Sequence, residues 1–231
     1  MCPTTLRPSR RVPLSKPLAE PVTRVAIVDY GMGNLDSVAR ATEECGGSPV
    51  VTASEKEIAR APAVILPGVG AFAKGMERIR ERDLDEILDT QVRRRGVPLL
   101  GLCLGMHLLA TRGDEGGETS GLGWIEGEVR RLPSEDGLRV PHVGWNEVHH
   151  QRASPLLAGA ESGRDFYFVH SYHLVCAEPT HVVATTPYGT SFTSIVQAEN
   201  VYGVQFHPEK SQRAGFQLLR NFLAIAGRAS A

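Results

Sequence analysis

The stretch Val97-Pro98-Leu99-Leu100-Gly101-Leu102-Cys103-Leu104-Gly105-Met106-His107 constrains this chain more than any other. Val97 to Leu102 reads as a buried strand, and an amphipathic helix is predicted to begin directly after Cys103. Gly101 and Gly105 flank the cysteine at the two places where a strand turning sharply into a helix has no room for side chains. Such an elbow lifts the central side chain out of the packed layer and sets it at the positive end of the new helix. A thiol there ionises more readily, because the helix dipole favours the thiolate. A buried strand cysteine, packed as a small hydrophobe, has the same local sequence, and the elbow alone does not separate the two readings.

A second motif separates them. Gly203-Val204-Gln205-Phe206-His207-Pro208-Glu209 reads as a strand ending in His-Pro-Glu. An imidazole two positions from a carboxylate lies on the same side of an extended segment. The carboxylate can then accept from Nδ1–H and leave Nε2 free to take a thiol proton. Pro208 stiffens the backbone between them. A metal site would need a third or fourth ligand at matching spacing, and none presents itself. The adjacent His149 and His150 point to opposite faces of a strand and make a poor metal pair, while His170 and His173 read as strand or pocket residues.

A chain of 231 residues suits one α/β domain with a substantial core. A net charge of −1 points neither to nucleic acid nor to an acidic partner surface. Cys2, Cys45, Cys103 and Cys176 show no pairing motif, which fits a reducing compartment, the cytoplasm. No apolar run is long enough to span a bilayer. Residues 1–22 differ from the rest. They hold Pro3, Pro8, Pro13, Pro17 and Pro21 among Arg7, Arg10, Arg11 and Lys16, and read as a flexible basic extension before a domain at 23–227. They lack the apolar centre of a secretory signal, and the prolines oppose the amphipathic helix of a transit peptide.

The elements alternate at first. Strands are predicted at Thr23–Asp29, around Val50-Val51, at Ala63–Leu66 and at Val97–Leu102. Helices are predicted from an Asn34 cap to Cys45, as one charged helix from Ala73 to Arg94, and from Leu104 to Thr111. After Trp124 the pattern turns to strands: Trp124–Leu132, His142–His149, Asp165–Val175, His181–Thr186, and Ser191–Phe206 with a hairpin turn at Glu199-Asn200. Ser211 is predicted to cap a final helix that turns Phe216, Leu219, Phe222 and Leu223 inward. Parallel βα units followed by a β-rich half imply a mixed, mostly parallel central sheet covered by helices, with an antiparallel extension. Ligands of such sheets bind at the carboxyl ends of the parallel strands, where Gly68, Gly70 and Cys103 fall.

With its Gly-x-Cys-x-Gly elbow and distant His207-Pro208-Glu209, the chain resembles the class I (triad) glutamine amidotransferases. Five motifs narrow the resemblance to the branch formed by the glutaminase subunits of imidazole glycerol phosphate synthase. They are Asp29-Tyr30-Gly31-Met32-Gly33-Asn34-Leu35, Leu66-Pro67-Gly68-Val69-Gly70-Ala71-Phe72, His142-Val143-Gly144-Trp145-Asn146, Phe168-Val169-His170-Ser171-Tyr172 and His207-Pro208-Glu209-Lys210-Ser211. The glutaminase of pyridoxal phosphate synthesis shares the triad but lacks the first and third of these.

The resemblance implies a single-domain amidotransferase fold and a thiol mechanism with no cofactor and no metal. Cys103 would be the nucleophile, His207 the acid and base, and Glu209 the group that orients the ring. The backbone N–H of Leu104, with one from Gly68, Val69 or Gly70, would form the oxyanion hole, completed in this family by a peptide flip. Glu115 would hold the α-amino group of glutamine, and Ser171 and Tyr172 would lie near its carboxylate. The family usually has glutamine at the position of His107, so an altered contact to substrate is expected there. Trp145, Asn146 and Lys210 would face a (β/α)8-barrel cyclase subunit, the partner in a heterodimer of histidine biosynthesis. A catalytically inactive binding subunit is the contrasting reading, and the intact triad opposes it.

Overall fold

The computed structural model describes residues 23–134 and 138–229, so the extension expected at 1–22 lies outside the described residues. The first half alternates strands and helices: β1 (Arg24–Val28), α1 (Leu35–Glu44), β2 (Ser48–Thr52), α2 (Glu55–Ala59), β3 (Val64–Leu66), α3 (Phe72–Arg80), α4 (Leu84–Leu88), β4 (Leu99–Leu102) and α5 (Leu104–Leu108). Strands then dominate: β5 (Ala110–Gly113), β6 (Thr119–Ser120), β7 (Ile125–Arg131), β8 (His142–His150), β9 (Arg164–His170), β10 (Tyr172–Cys176), β11 (Val182–Tyr188), β12 (Thr190–Ala198) and β13 (Val201–Val204), before a closing α6 (Gln212–Ala229).

A nine-stranded sheet runs in the order β2-β1-β3-β4-β13-β12-β11-β8-β9. Its first five strands pair parallel, with β13 added alongside β4, and the rest pair antiparallel. The alternation of side chains along β1 divides the core. Val25 and Ile27 face Leu218, Leu219 and Phe222 of α6 and Val38 of α1. Ala26 and Val28 face Ile58, Met76, Ile79, Leu88 and Met106 on the other side. No helix among the described residues is long and apolar enough to cross a membrane.

The structure corrects four local expectations. The single helix over 73–94 breaks at Asp83, which has φ 52°, into α3, α4 and a π-helical turn at Asp89–Arg94. A gap of five from Ile79 to Leu84 would rotate Leu84 by about 140° on a continuous helix. The break lets both residues bury. The helix after Cys103 ends at Leu108 and does not reach Thr111, because the chain peels into β5 to pair with β7. The strand expected at 165–175 splits at Ser171: β9 joins the large sheet, whereas β10 joins a separate four-stranded sheet, β10-β7-β5-β6. Nothing in the sequence pattern announces that second sheet. Finally, the side chains of Asn34 and Ser211 do not cap helices. Asn34 makes no capping bond, and Ser211 Oγ instead donates to His207 O (2.6 Å) and accepts from Tyr167 N (3.0 Å).

Candidate active site

Cys103 sits where β4 becomes α5, with φ 51° and ψ −108°, a conformation that non-glycine residues seldom hold without a functional reason. Two main-chain bonds keep it there: its N–H donates to Val204 O (2.8 Å), and its carbonyl accepts from His107 N (3.2 Å). The flanking glycines are required by contact. A Cβ at position 101 would stand 2.7 Å from Gly105 O, and one at 105 would overlap the Leu66 carbonyl at the end of β3.

His207 follows β13, the parallel neighbour of β4, so the sheet itself brings the two motifs together. Nδ1 of His207 lies 2.8 Å from Glu209 Oε1, and their side chains are 5% and 2% exposed. The carboxylate accepts from Nδ1–H and thereby fixes the tautomer that leaves Nε2 as the working atom. Burial opposes a charged ring, but the Cys103 sulfur as thiolate and the Glu209 carboxylate outweigh it and raise the His207 pKa to about 9. Ser211 holds the loop from behind through the His207 carbonyl.

In front of the thiol lies a cavity of about 400 Å³, lined by Cys103, His207, Val69, Gly70, Leu104, His107, Glu115, Ser171 and Tyr172. That is large enough for a small amino acid. Gly68 and Glu209 are not on this wall. They stand behind it with Asn34 and Pro67. Gly68 packs under Tyr30, whose hydroxyl is buried and unpaired, and a Cβ there would come 2.9 Å from Leu104 Cβ. Gly70 has φ 107°, and a Cβ there would press on Met32 Cε at 2.8 Å.

Glu115 faces the cavity, yet its Oε2 accepts from Phe72 N (3.0 Å) at the start of α3. Burial nevertheless raises its pKa. His107 also lines the cavity, but its Nε2 is bonded to Gln205 Oε1 (2.7 Å), away from any substrate. A ring only 3% exposed needs a partner inside the protein, and Gln205 supplies it. Behind Ser171 and Tyr172 a directed chain runs from Asn146 Nδ2 to His142 Nε2 (3.3 Å), from His142 Nδ1 to His170 Nε2 (3.0 Å), and from His170 Nδ1 to Tyr172 O (2.8 Å). Each link fixes one tautomer, and burial lowers both histidine pKa values.

The three residues expected at a partner surface part company. Trp145 is 48% exposed, beside Val143 (56%) and Val169 (37%). Its ring meets the edge of Tyr167 at 6.0 Å, and Lys210 Nζ sits 5.9 Å over the same Tyr167 ring. Asn146 points to the opposite face of β8, where its amide bonds to Pro187 O (2.8 Å). Adjacent strand residues face opposite ways, so Trp145 and Asn146 do not share a surface. Sequence reasoning gives no role to Gln205, Tyr30 or Ser211 at this site. A glutamine inside the apolar run Val201–Phe206 is the one available signal, since a buried amide demands partners.

A strained strand-end thiol, a histidine held by a buried carboxylate and a cavity in front of both define a thiol hydrolase of the amidotransferase kind. The chain belongs to the glutamine amidotransferase class-I family, which matches residues 26–226. It is 50% identical over 198 residues to "Imidazole glycerol phosphate synthase subunit HisH" of Moorella thermoacetica, covering 86% of this chain and 93% of that protein. It is 48% identical to "Imidazole glycerol phosphate synthase subunit HisH 2" of Nitrobacter winogradskyi, over 87% of this chain and 98% of the relative. Among solved structures it resembles one described as a glutamine amidotransferase, with a TM-score of 0.68 and 20% identity over 88% of this chain and 98% of that one. That last likeness concerns the fold.

Proposed function

We propose that this chain is the glutaminase subunit of an imidazole glycerol phosphate synthase, working on glutamine in the cytoplasm and passing ammonia to a (β/α)8-barrel cyclase subunit. The names of its relatives support the assignment. The observation that carries the chemistry is Cys103 and His207 on one cavity wall with Glu209 bonded to His207 from behind. The unpaired thiols of Cys45, Cys103 and Cys176, among the described residues, agree with a reducing compartment.

In this reading the Cys103 thiolate attacks the side-chain amide carbon of glutamine, and the carbonyl oxygen becomes an oxyanion. Leu104 N–H and an N–H from the Gly68–Gly70 segment stabilise that charge. The C–N bond then breaks, and the nitrogen takes the proton held on His207 Nε2 and leaves as ammonia. What remains is a γ-glutamyl thioester. His207, now neutral, takes a proton from water; the hydroxide attacks the thioester, and glutamate leaves as the thiolate returns. Glu209 keeps the ring in its Nδ1–H tautomer throughout.

Val69 and Val169 line the cavity and are 44% and 37% exposed, and Val169 pairs across the sheet with the exposed Val143, two residues from Trp145. An apolar face opening onto the cavity suits a partner that receives a small product without release to solvent. The test is a glutaminase assay on the chain alone and with a co-purified barrel subunit. Cys103→Ala is expected to abolish glutamine-dependent synthesis by the complex and to leave synthesis from added ammonia intact. Loss of both activities would overturn the division of labour.

A further inference from the structure

Gln205 is completely buried immediately after β13, and the chemistry above makes no use of it. The two ends of its amide face two different groups. Oε1 lies 2.7 Å from His107 Nε2, and Nε2 points at Cys103 Sγ from 3.9 Å. We propose that Gln205 donates an N–H to the Cys103 thiolate, and that His107 is the positioning residue that keeps the amide turned that way. The inference rests on Cys103 being the nucleophile.

A primary amide fills nearly the same space in either of two orientations, but their electrostatics are opposite. With N–H toward sulfur the amide favours the thiolate; with its carbonyl toward sulfur it repels it. An N–H to a charged acceptor is among the stronger hydrogen bonds, so the orientation matters. His107 decides it: an Nε2–H donated to Oε1 leaves only the NH₂ end for the sulfur. Burial lowers the His107 pKa to about 4, so the ring is neutral at pH 7 and acts by direction, not by charge. The main chain is equally fixed. Gln205 N donates to Ser194 O (2.9 Å), and the preceding Val204 carbonyl holds Cys103 N (2.8 Å). Donor and nucleophile are therefore tied to one strand.

Other titratable groups stand around this sulfur or line the cavity in front of it. His207, backed by Glu209, comes from the loop after β13, Tyr30 from beyond β1, His170 from β9, and Glu115 from across the cavity. The proposal concerns only what Gln205 and His107 add to them. The measurement is alkylation of the intact chain by iodoacetamide, in which the thiolate forms a C–S bond and iodide leaves. Rates at Cys103 are followed by mass spectrometry against pH, with Cys103→Ser reporting Cys2, Cys45 and Cys176. Gln205→Met is expected to raise the Cys103 midpoint by about one pH unit, slowing alkylation about tenfold below it. His107→Phe should move it the same way by less. His107→Gln, which keeps a donor for Oε1, should restore the wild-type midpoint. If Gln205→Met and His107→Phe lower the melting temperature but keep the wild-type midpoint, the pair serves packing only and the inference is overturned. Should Gln205→Met fail to fold, the two His107 variants decide alone: equal midpoints for Phe and Gln refute it. A wild-type Cys103 no more reactive than Cys45 would refute the nucleophile itself, a distinguishable failure.

Discussion

On one wall of the cavity the working groups are held from several sides. Cys103 is anchored by Val204 O and His107 N, His207 by Glu209 and Ser211, and all lie on or beside the paired strands β4 and β13. On the facing wall, Val69 is 44% exposed and Gly70 stands at φ 107°, just past the end of the three-residue strand β3. Gly68, between them and the sheet, is by contrast packed tightly under Tyr30. The first wall is preorganised because main-chain bonds and the buried Glu209 hold Cys103 and His207, while His207 Nε2 and Glu209 Oε2 stay buried without a partner, the former free for proton transfer. The second can change its peptide orientation, since glycine crosses to positive φ at little cost. In the proposed mechanism the nucleophile and its base lie on the first wall and the oxyanion hole draws one donor from each wall, so variants of the second can weaken the hole without touching the base.

The largest effects belong to the rigid wall. His207→Ala removes the group placed to protonate the departing ammonia, and glutamine turnover is expected to fall on the order of 10⁵-fold. Glu209→Ala keeps the ring but loses its orientation, with an expected fall on the order of 10³- to 10⁴-fold. Steady-state glutaminase rates of folded variants check the order, and equal losses would remove the orienting role from Glu209.

A change on the facing wall should be milder and of a different kind. Gly70→Ala forces a side chain into φ 107° and against Met32 Cε. Loss of one oxyanion donor costs about 10²- to 10³-fold in rate, the expected ceiling for this variant. The pH midpoint for Cys103 alkylation should stay at the wild-type value. A shifted midpoint would show that the two walls are not independent.

The smallest effects concern stability against pH, and they carry opposite signs near the cavity. His107 and His142 have pKa values lowered to about 4 by burial, and those of His170 and His173 are also lowered. The unfolded chain binds protons at these rings below pH 6.5, and the folded chain binds them only at lower pH, near 4 for His107 and His142. Their neutral burial is therefore fully tolerated above pH 6.5, and stability falls as the pH drops through that window. Each contributes at most ~1.4 kcal/mol per pH unit. His207 has the opposite sign: its raised pKa gives a contribution complete below pH 6.5 and lost as the pH rises through about 9. Urea unfolding midpoints across this range should show both slopes. His142→Asn should flatten the acid slope alone, and an unchanged slope would remove His142 from the account.

The sequence by itself determined the parts whose cause is local. Two glycines around Cys103 announce an elbow because a Cβ at either position meets backbone. His207 and Glu209 are two residues apart and meet across a 3₁₀ turn at Pro208–Lys210, where an extended strand end was expected, and the Glu199-Asn200 turn is set by its own residues. The βα alternation through β4 was legible for the same reason, since each buried strand is an apolar run. Tertiary structure decided what depends on distant partners. Ser171 splits one apolar stretch between two sheets because β7 and β8 each offer a pairing edge that no periodicity in 165–175 reveals. The helix over 73–94 broke where the core, and not propensity, chose which apolar side chains to bury. Ser211 abandons a cap for the His207 carbonyl, and His107 turns from the cavity to Gln205. A buried polar atom goes to whichever partner the fold brings within reach, and the fold brings residues together from opposite ends of the chain.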